Sequence, residues 1–323
     1  MTDVLILGGT GWLSGRIAGR LLMNGATVMC LARGGRPSPE GASLVLADRD
    51  DPAAYDAVSG RDWDHVIDVS SSATHVAAAV EALGGRAARW TYVSSMSVYS
   101  DDATVGADET APVHRPAAVG DEYEYGAQKV AAENAVRTLG DRALIVRPGL
   151  IVGQGDPSDR FGYWAAAFLR AEGETEKVLV PRGDGRSVQV IDVDDLTEFL
   201  VTTTATGVID AIGDRHALGD VLEAVRRRAG HRGDTVTAED DWLVANGVEH
   251  WAGERSLPLW LPAEMTGFMT RSNERYRAAG GGLRPLDETI AAVVDDEQHR
   301  GVDRDRRAGL TRADELALIQ RLG

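Results

Sequence analysis

Val4-Leu5-Ile6-Leu7-Gly8-Gly9-Thr10-Gly11-Trp12-Leu13-Ser14-Gly15 is the stretch from which the fold can be read. Four apolar residues in a row, with no polar alternation, read as a strand buried on both faces, the habit of a parallel sheet. Arg16-Ile17-Ala18-Gly19-Arg20-Leu21-Leu22 then has helical periodicity and stops at Asn24-Gly25. Strand, glycine turn and helix together bring backbone N–H groups and a helix N-terminus to one point, a setting that suits a pyrophosphate. The spacing is Gly8-x-x-Gly11, with Ser14 and then Gly15 where a third glycine is expected. Serine is small enough for close helix–strand packing, yet it is a departure from the usual pattern.

Further strands follow at 27–32, 43–47, 65–69 and 90–93, with helical stretches between them about every 20–30 residues. That alternation predicts a Rossmann-type, doubly wound α/β fold with a parallel sheet. The second strand runs into Arg33-Gly34-Gly35-Arg36 with no carboxylate at its end. A carboxylate there would bond a ribose 2′-hydroxyl, whereas a guanidinium suits a 2′-phosphate through charge-assisted bonds. The expected cofactor is therefore NADP(H), with NAD(H) as the other candidate. After the third strand come Asp48-Arg49-Asp50-Asp51. Asp48 is placed to accept from an adenine amino group, and capping a helix ahead of Pro52 is an equally good use for one of these carboxylates.

Ser70-Ser71-Ser72 follow the fourth strand and Ser94-Ser95-Met96-Ser97-Val98-Tyr99 the fifth, beyond the carboxyl ends where catalytic groups of such sheets gather. Tyr125 and Lys129 share one face of a predicted helix. The pair reads either as a surface aromatic–basic contact or as a phenol with a cation beside it. In the second case the ammonium favours the phenolate and draws the phenol pKa down from about 10 towards the range of a working acid or base. Lys129 and Lys177 are the only lysines of the chain, and an arginine could not pass on a proton as readily.

The 323 residues, 43% apolar and 26% charged, suit one large or two modest globular domains. A net charge of −16 without any Lys/Arg-rich run disfavours nucleic acid and anionic membranes as partners. Cys30 is alone, which leaves no intrachain disulfide and points to a reducing compartment. The N-terminus shows no basic region or cleavage site, and no apolar run approaches about 18 residues, so a cytoplasmic protein is expected. The histidines have no metal-ligand spacing, and no metal is assigned.

With these motifs in order, the first two hundred residues resemble the extended short-chain dehydrogenase/reductase family, the NAD-dependent epimerase/dehydratase group. The matching segments are Gly8 to Gly15, Tyr92-Val93-Ser94-Ser95-Met96-Ser97-Val98-Tyr99, Tyr125-Gly126-Ala127-Gln128-Lys129, Arg147-Pro148-Gly149-Leu150-Ile151-Val152-Gly153 and Val190 to Leu196. The resemblance implies that Tyr125 is the acid/base, that Lys129 lowers its pKa and binds the nicotinamide ribose, and that Ser95 polarises the reacting oxygen. It implies a cofactor held by Gly8, Thr10, Gly11, Trp12, Leu13, Arg33, Asp48, Arg49, Val69, Ser70, Ser71, Tyr125 and Lys129, with Pro148 and Gly149 near the nicotinamide. It also implies a homodimer formed through the helices before Gly84 and after Tyr125.

Departures narrow the chemistry. Met96-Ser97 stand where sugar-nucleotide dehydratases carry an Asp-Glu pair, and Leu150 stands where many nucleotide-sugar enzymes have asparagine. The expected domains are residues 1–150 for the dinucleotide, with 186–212 returning to it, and a smaller α/β substrate lobe from 151–185 and 213–323. Ser97, after the fifth strand, is a candidate substrate contact, and in the smaller lobe Phe161, Tyr163 and Trp164 either line a pocket or pack as core. Asp194 and Asp195 sit ahead of a helix that one of them would cap. Trp242, Trp251 and Trp260 read as lobe packing, and Thr311 to Asp314 as the start of a capped helix. The favoured function is an NADPH-dependent ketoreductase of a small-molecule carbonyl, placed by analogy beside reductases of bacterial secondary metabolism. An NAD-dependent NDP-sugar epimerase is the alternative enzyme. A non-catalytic NADP(H)-binding regulatory relative is the alternative of another kind, and the intact Ser95, Tyr125 and Lys129 set argues against it.

Overall fold

In the computed structural model, which describes residues 2–118, 120–171, 173 and 176–322, the opening stretch lies at the centre of a seven-stranded sheet. Strand β1 (Asp3–Leu7) lies between β2 (Thr27–Ala32) and β4 (His65–Asp68), with Val4 opposite both Val28 and His65. Val4, Leu5, Ile6 and Leu7 are all fully buried, each worth about 1.5–3 kcal/mol of apolar burial. β3 (Ser43–Leu46), β5 (Trp90–Val93), β6 (Ala143–Pro148) and, much later in the chain, Gly207–Ala211 complete the sheet, every pairing parallel. The order runs from Gly207–Ala211 through β6, β5, β4, β1 and β2 to β3. Strand order therefore reverses between β1 and β4, and the crevice beyond their carboxyl ends is where such folds take ligands. Gly8–Gly11 and Ser70–Ser72 stand on its two sides.

The helix after β1 begins at Trp12, earlier than its periodic part, and runs to Met23. The chain leaves it through Gly25 at φ +81°, a conformation glycine adopts without strain. The Tyr125–Arg137 helix has Glu124 as its N-cap, whose carboxylate accepts from the N–H groups of Gly126, at 2.8 Å, and Ala127. That cap fixes Tyr125 in the first turn, facing the carboxyl end of β5.

The second body is built on a three-stranded sheet of β7 (Leu150–Val152), β9 (Ser187–Asp192) and Arg215–Ala217, and on β8 (Val178–Pro181) paired with Thr235–Ala238. Of the segment 186–212, Ser187–Asp192 thus pairs in the small sheet, while Gly207–Ala211 edges the large one. The Val193–Thr202 helix between them packs on the Trp12–Met23 helix through Arg16–Asp194 at 2.5 Å and the Arg20–Glu198 pair. Its N-cap is Asp192, which accepts from Asp194 N–H at 2.8 Å. Asp194 and Asp195 do not cap; they reach out to Arg16 and Arg284, because both already lie inside the first helical turn. Trp260 is buried in the lobe core with Trp242 and Trp251 packed against it, and Thr311 caps the final helix, Arg312–Leu322. Among the described residues no helix is long and apolar enough to cross a membrane.

Candidate functional site

A cavity of about 820 Å³ opens at the strand reversal, walled by Gly8, Thr10, Gly11, Arg33, Arg36, Asp48, Arg49, Val69 and Ser70–Ser72. Its floor requires glycine. Gly8 has φ +87°, and a Cβ on Gly9 would lie 2.5 Å from the Cys30 sulfur. Ser14 resolves the departure in the turn: its buried Oγ donates to the Gly8 carbonyl at 2.7 Å and accepts from Gly11 N–H at 3.0 Å. The hydroxyl ties the turn shut where a glycine would only have made room. Burial pushes the Cys30 thiol beneath it up to about 11, so it serves as packing.

Not every expected cofactor contact lies on this cavity. Trp12 and Leu13 do not line it: the Trp12 indole donates to the Gln154 carbonyl at 2.9 Å across the junction with the second body, and Leu13 packs against the sheet. Arg49 is in the wall, yet its donors are already used. It grips Asp68 with two bonds of 2.8 and 2.7 Å, the Tyr55 hydroxyl at 2.9 Å and the His75 carbonyl at 2.7 Å. Arg33 and Arg36 are exposed, and among the described residues neither guanidinium has a hydrogen bond or ion pair. Asp48 faces the cavity and also accepts from Asp50 N–H at 3.2 Å, and Asp51 accepts from Ala53 N–H at 2.9 Å in the same turn. A small, glycine-floored crevice at a helix N-terminus with free guanidinium groups fits the phosphates of a dinucleotide. Pro148 ends β6 and Gly149 follows it; a Cβ on Gly149 would lie 2.7 Å from Ile212 and 3.5 Å from the Met96 sulfur, beside Ser95 rather than on the cavity wall.

Ser95 starts a 3₁₀ turn, its Oγ accepting from Ser97 N–H at 3.1 Å and lying 3.2 Å from Ser97 Oγ. Tyr125 remains 40% exposed, so its ring can meet a substrate. Lys129 is buried, with its Nζ donating to the Ser70 carbonyl at 2.9 Å and the Val93 carbonyl at 2.8 Å, and 5.9 Å from the Tyr125 ring centre. These bonds join the ends of β4 and β5 to the helix. Burial pulls the Lys129 pKa down to about 7 against the opposing pull of Asp68 and Glu133.

The expected depression of the Tyr125 pKa is not what this arrangement produces. Burial holds the phenol above its ordinary value, while the Ser95 hydroxyl and Arg160 act in the lowering direction. The lysine ammonium is directed at the two carbonyls instead. Glu133, one turn beyond Lys129, escaped the sequence reading although the i, i+4 spacing continues to it. It holds Arg147 through bonds of 2.8 and 2.7 Å and accepts from Ser94 Oγ at 2.7 Å, which locks the helix to β5 and β6.

Phe161, Tyr163 and Trp164 are buried in the lobe core, not on a cleft. Trp164 donates to the Pro258 carbonyl at 2.7 Å, and Tyr163 packs over Gly309. Arg160, the residue just before them, is only partly buried, and its charge acts on both the Asp156 carboxyl and the Tyr125 phenol.

A sequence model of the NAD-dependent epimerase/dehydratase family matches residues 4–211. A 2′-dehydrokanamycin reductase of Streptomyces kanamyceticus is 28% identical over 299 residues, covering 87% of this chain and 82% of that protein. The structure of an epimerase candidate from Burkholderia cenocepacia J2315 superposes with a TM-score of 0.72 at 22% identity, covering 92% of this chain and 98% of the other. UDP-glucuronic acid 4-epimerase from Bacillus cereus, in complex with NAD, gives 0.66 at 14% identity, with 93% and 99% covered. At such identities the two structures share the fold with this chain.

Proposed function

The chain belongs to the NAD-dependent epimerase/dehydratase family and is an NAD(P)-dependent oxidoreductase, and from that premise we propose that it is an NADPH-dependent reductase of a carbonyl on a small organic molecule. The observation that carries this reading is the Ser95–Tyr125–Lys129 set, with a partly exposed phenol beside the Ser95 hydroxyl that, like any ordinary tyrosine, is protonated at neutral pH. A protonated phenol beside a carbonyl gives a proton, which is the reductive direction. Bound NADPH would supply the hydride to the carbonyl carbon. Tyr125 gives its proton to the carbonyl oxygen, Ser95 donates a hydrogen bond to that oxygen, and Lys129 holds the nicotinamide ribose. The unpaired Arg33 and Arg36 support a cofactor with a 2′-phosphate, and Met96, Ser97 and Leu150 count against dehydration and a nucleotide-sugar substrate. The Streptomyces relative, named as a reductase, adds support for reduction and for a place in secondary metabolism.

The test is Tyr125→Phe. Turnover of NADPH with a responsive carbonyl compound is expected to fall about 10²–10⁴-fold while NADPH binding is retained. Full activity in that variant would remove Tyr125 from the mechanism. Nucleotide released on heat denaturation separates the enzyme readings: a reductase is purified largely empty, and an epimerase carries NAD. The Ala73–Leu83 and Tyr125–Arg137 helices pack on each other, and their outer faces are the proposed homodimer contact, for which sedimentation should give twice the chain mass.

A further inference from the structure

Arg160 opens the Arg160–Arg170 helix. Its guanidinium lies 4.9 Å from the centre of the Trp251 ring, and among the described residues it makes no hydrogen bond or ion pair through its side chain. Of the two acids just before it, Asp159 is taken by Arg304 and the Arg307 N–H, and Asp156 is buried, accepting from Ser158 N–H at 2.7 Å and Ser158 Oγ at 2.9 Å while its charge still acts on the guanidinium. Trp251 meets Phe268 edge-on with ring centres 5.5 Å apart, and Phe268 packs on the cluster containing Met96, the neighbour of Ser95. An aromatic wall of Phe268 and Trp251 thus links the cluster beside Ser95 to a guanidinium that has no side-chain hydrogen bond or ion pair among the described residues.

This wall is held in place at a cost in backbone strain. Asp159, immediately before Arg160, has φ +61°, and Trp251 has φ +66°. Aspartate tolerates the left-handed region, but a tryptophan there is a true outlier of the kind that clusters at ligand sites. Arg304, at 2.5 Å, and the Arg307 N–H, at 3.0 Å, clamp the Asp159 carboxylate and so fix the start of the helix. The guanidinium is stacked on Trp251 and has no side-chain hydrogen bond or ion pair among the described residues.

We propose that Arg160 is the anchor for a carboxylate on the substrate, so that this cleft takes oxo acids, with the carbonyl at Tyr125 and Ser95 and the carboxylate on the Arg160 fork. A planar monoanion matches a single guanidinium through two parallel bonds, and a cation stacked on an aromatic ring keeps its in-plane donors free. A phosphate dianion would call for more donors than this apolar wall provides. The charge of Arg160 acting on the Tyr125 phenol is consistent with the two sharing one cleft. The assignment rests on the reading of Tyr125 and Ser95 as the reacting end.

Calorimetric titration of the whole protein with phenylpyruvate, its methyl ester, malonate, malonamide and inorganic phosphate tests it without requiring turnover. The acids should bind at least tenfold more tightly than the ester and amide. Arg160→Gln should remove that preference, and Arg160→Lys should restore part of it, since it keeps charge but loses the fork. Equal binding of acid and ester to the unaltered protein overturns the proposal whether or not the variants fold. So do undiminished acid binding by a folded Arg160→Gln protein, tighter binding of phosphate than of either acid, and failure of every acid to bind. Failure of reduction alone leaves carboxylate binding intact, also in Tyr125→Phe, whereas failure of the anchor alone leaves neutral carbonyl compounds reduced.

Discussion

In the C-terminal lobe, Arg170 and Arg312 are held on the buried Glu315, at 3.1 and 2.8 Å, and Arg304 and Arg306 on the buried Glu297, at 2.8 and 2.7 Å. Across the molecule, in the crevice at the end of β1, Arg33 and Arg36 stand on a cavity wall and have no ion pair among the described residues. The residue type is the same and the use is opposite. A guanidinium that already holds two carboxylate oxygens has few donors left for a ligand, whereas a free one on a concave surface offers five. Arg49 shows that position alone does not decide: it lines the same cavity as Arg33 but is committed to Asp68, Tyr55 and His75. Arg160 sits in the lobe and behaves like the arginines of the crevice.

The sharpest way to break this contrast is to remove an acid from the lobe. Glu297→Gln leaves Arg306 without its charge partner in a buried setting and Arg304 with Asp159 alone, and a loss of about 3–5 kcal/mol in a denaturant titration is expected. If that variant unfolds at the same midpoint as the parent, the lobe arginines are not structural staples. Lys129 gives the next largest effect. Its folded pKa is about 7, against about 10.4 for an unstructured lysine. Between those values the unfolded chain holds a proton that the folded chain has lost, so this residue makes stability rise with pH from about 7 to about 10. The slope should be shallower or reversed in Lys129→Met, and equal slopes would mean the ammonium is not desolvated.

On the crevice side, Arg33→Ala and Arg36→Ala should each weaken NADPH binding about 10- to 100-fold and leave NADH nearly unchanged, with little shift in unfolding midpoint. A parallel loss for both cofactors would place these side chains elsewhere than on a 2′-phosphate. The smallest effect expected is that of Ser14→Ala, which deletes two short bonds inside the turn, at about 1–2 kcal/mol of stability. If Ser14→Ala is neutral, serine is there for its size alone.

The sequence by itself determined the sheet and the end of the sheet at which chemistry gathers. Wholly apolar four-residue runs such as Val4–Leu7 can satisfy their side chains only when buried on both faces, and the glycine turn needs its φ and its closeness to Cys30 whatever surrounds it. The i, i+4 spacing likewise set Tyr125, Lys129 and Glu133 on one face. Tertiary structure alone decided which charged and aromatic side chains remain free. Phe161, Tyr163 and Trp164 had no visible reason in sequence to face inward rather than line a cleft, since the helices and loops that cover them come from about a hundred residues later. Arg49, Arg33 and Arg160 are chemically identical on paper. Their roles differ because Asp68 reaches the first, the second has no ion pair among the described residues, and Trp251 stacks on the third. Hydrogen bonding and ion pairing are satisfied by whatever the fold brings within about 3 Å, a distance that sequence order does not encode.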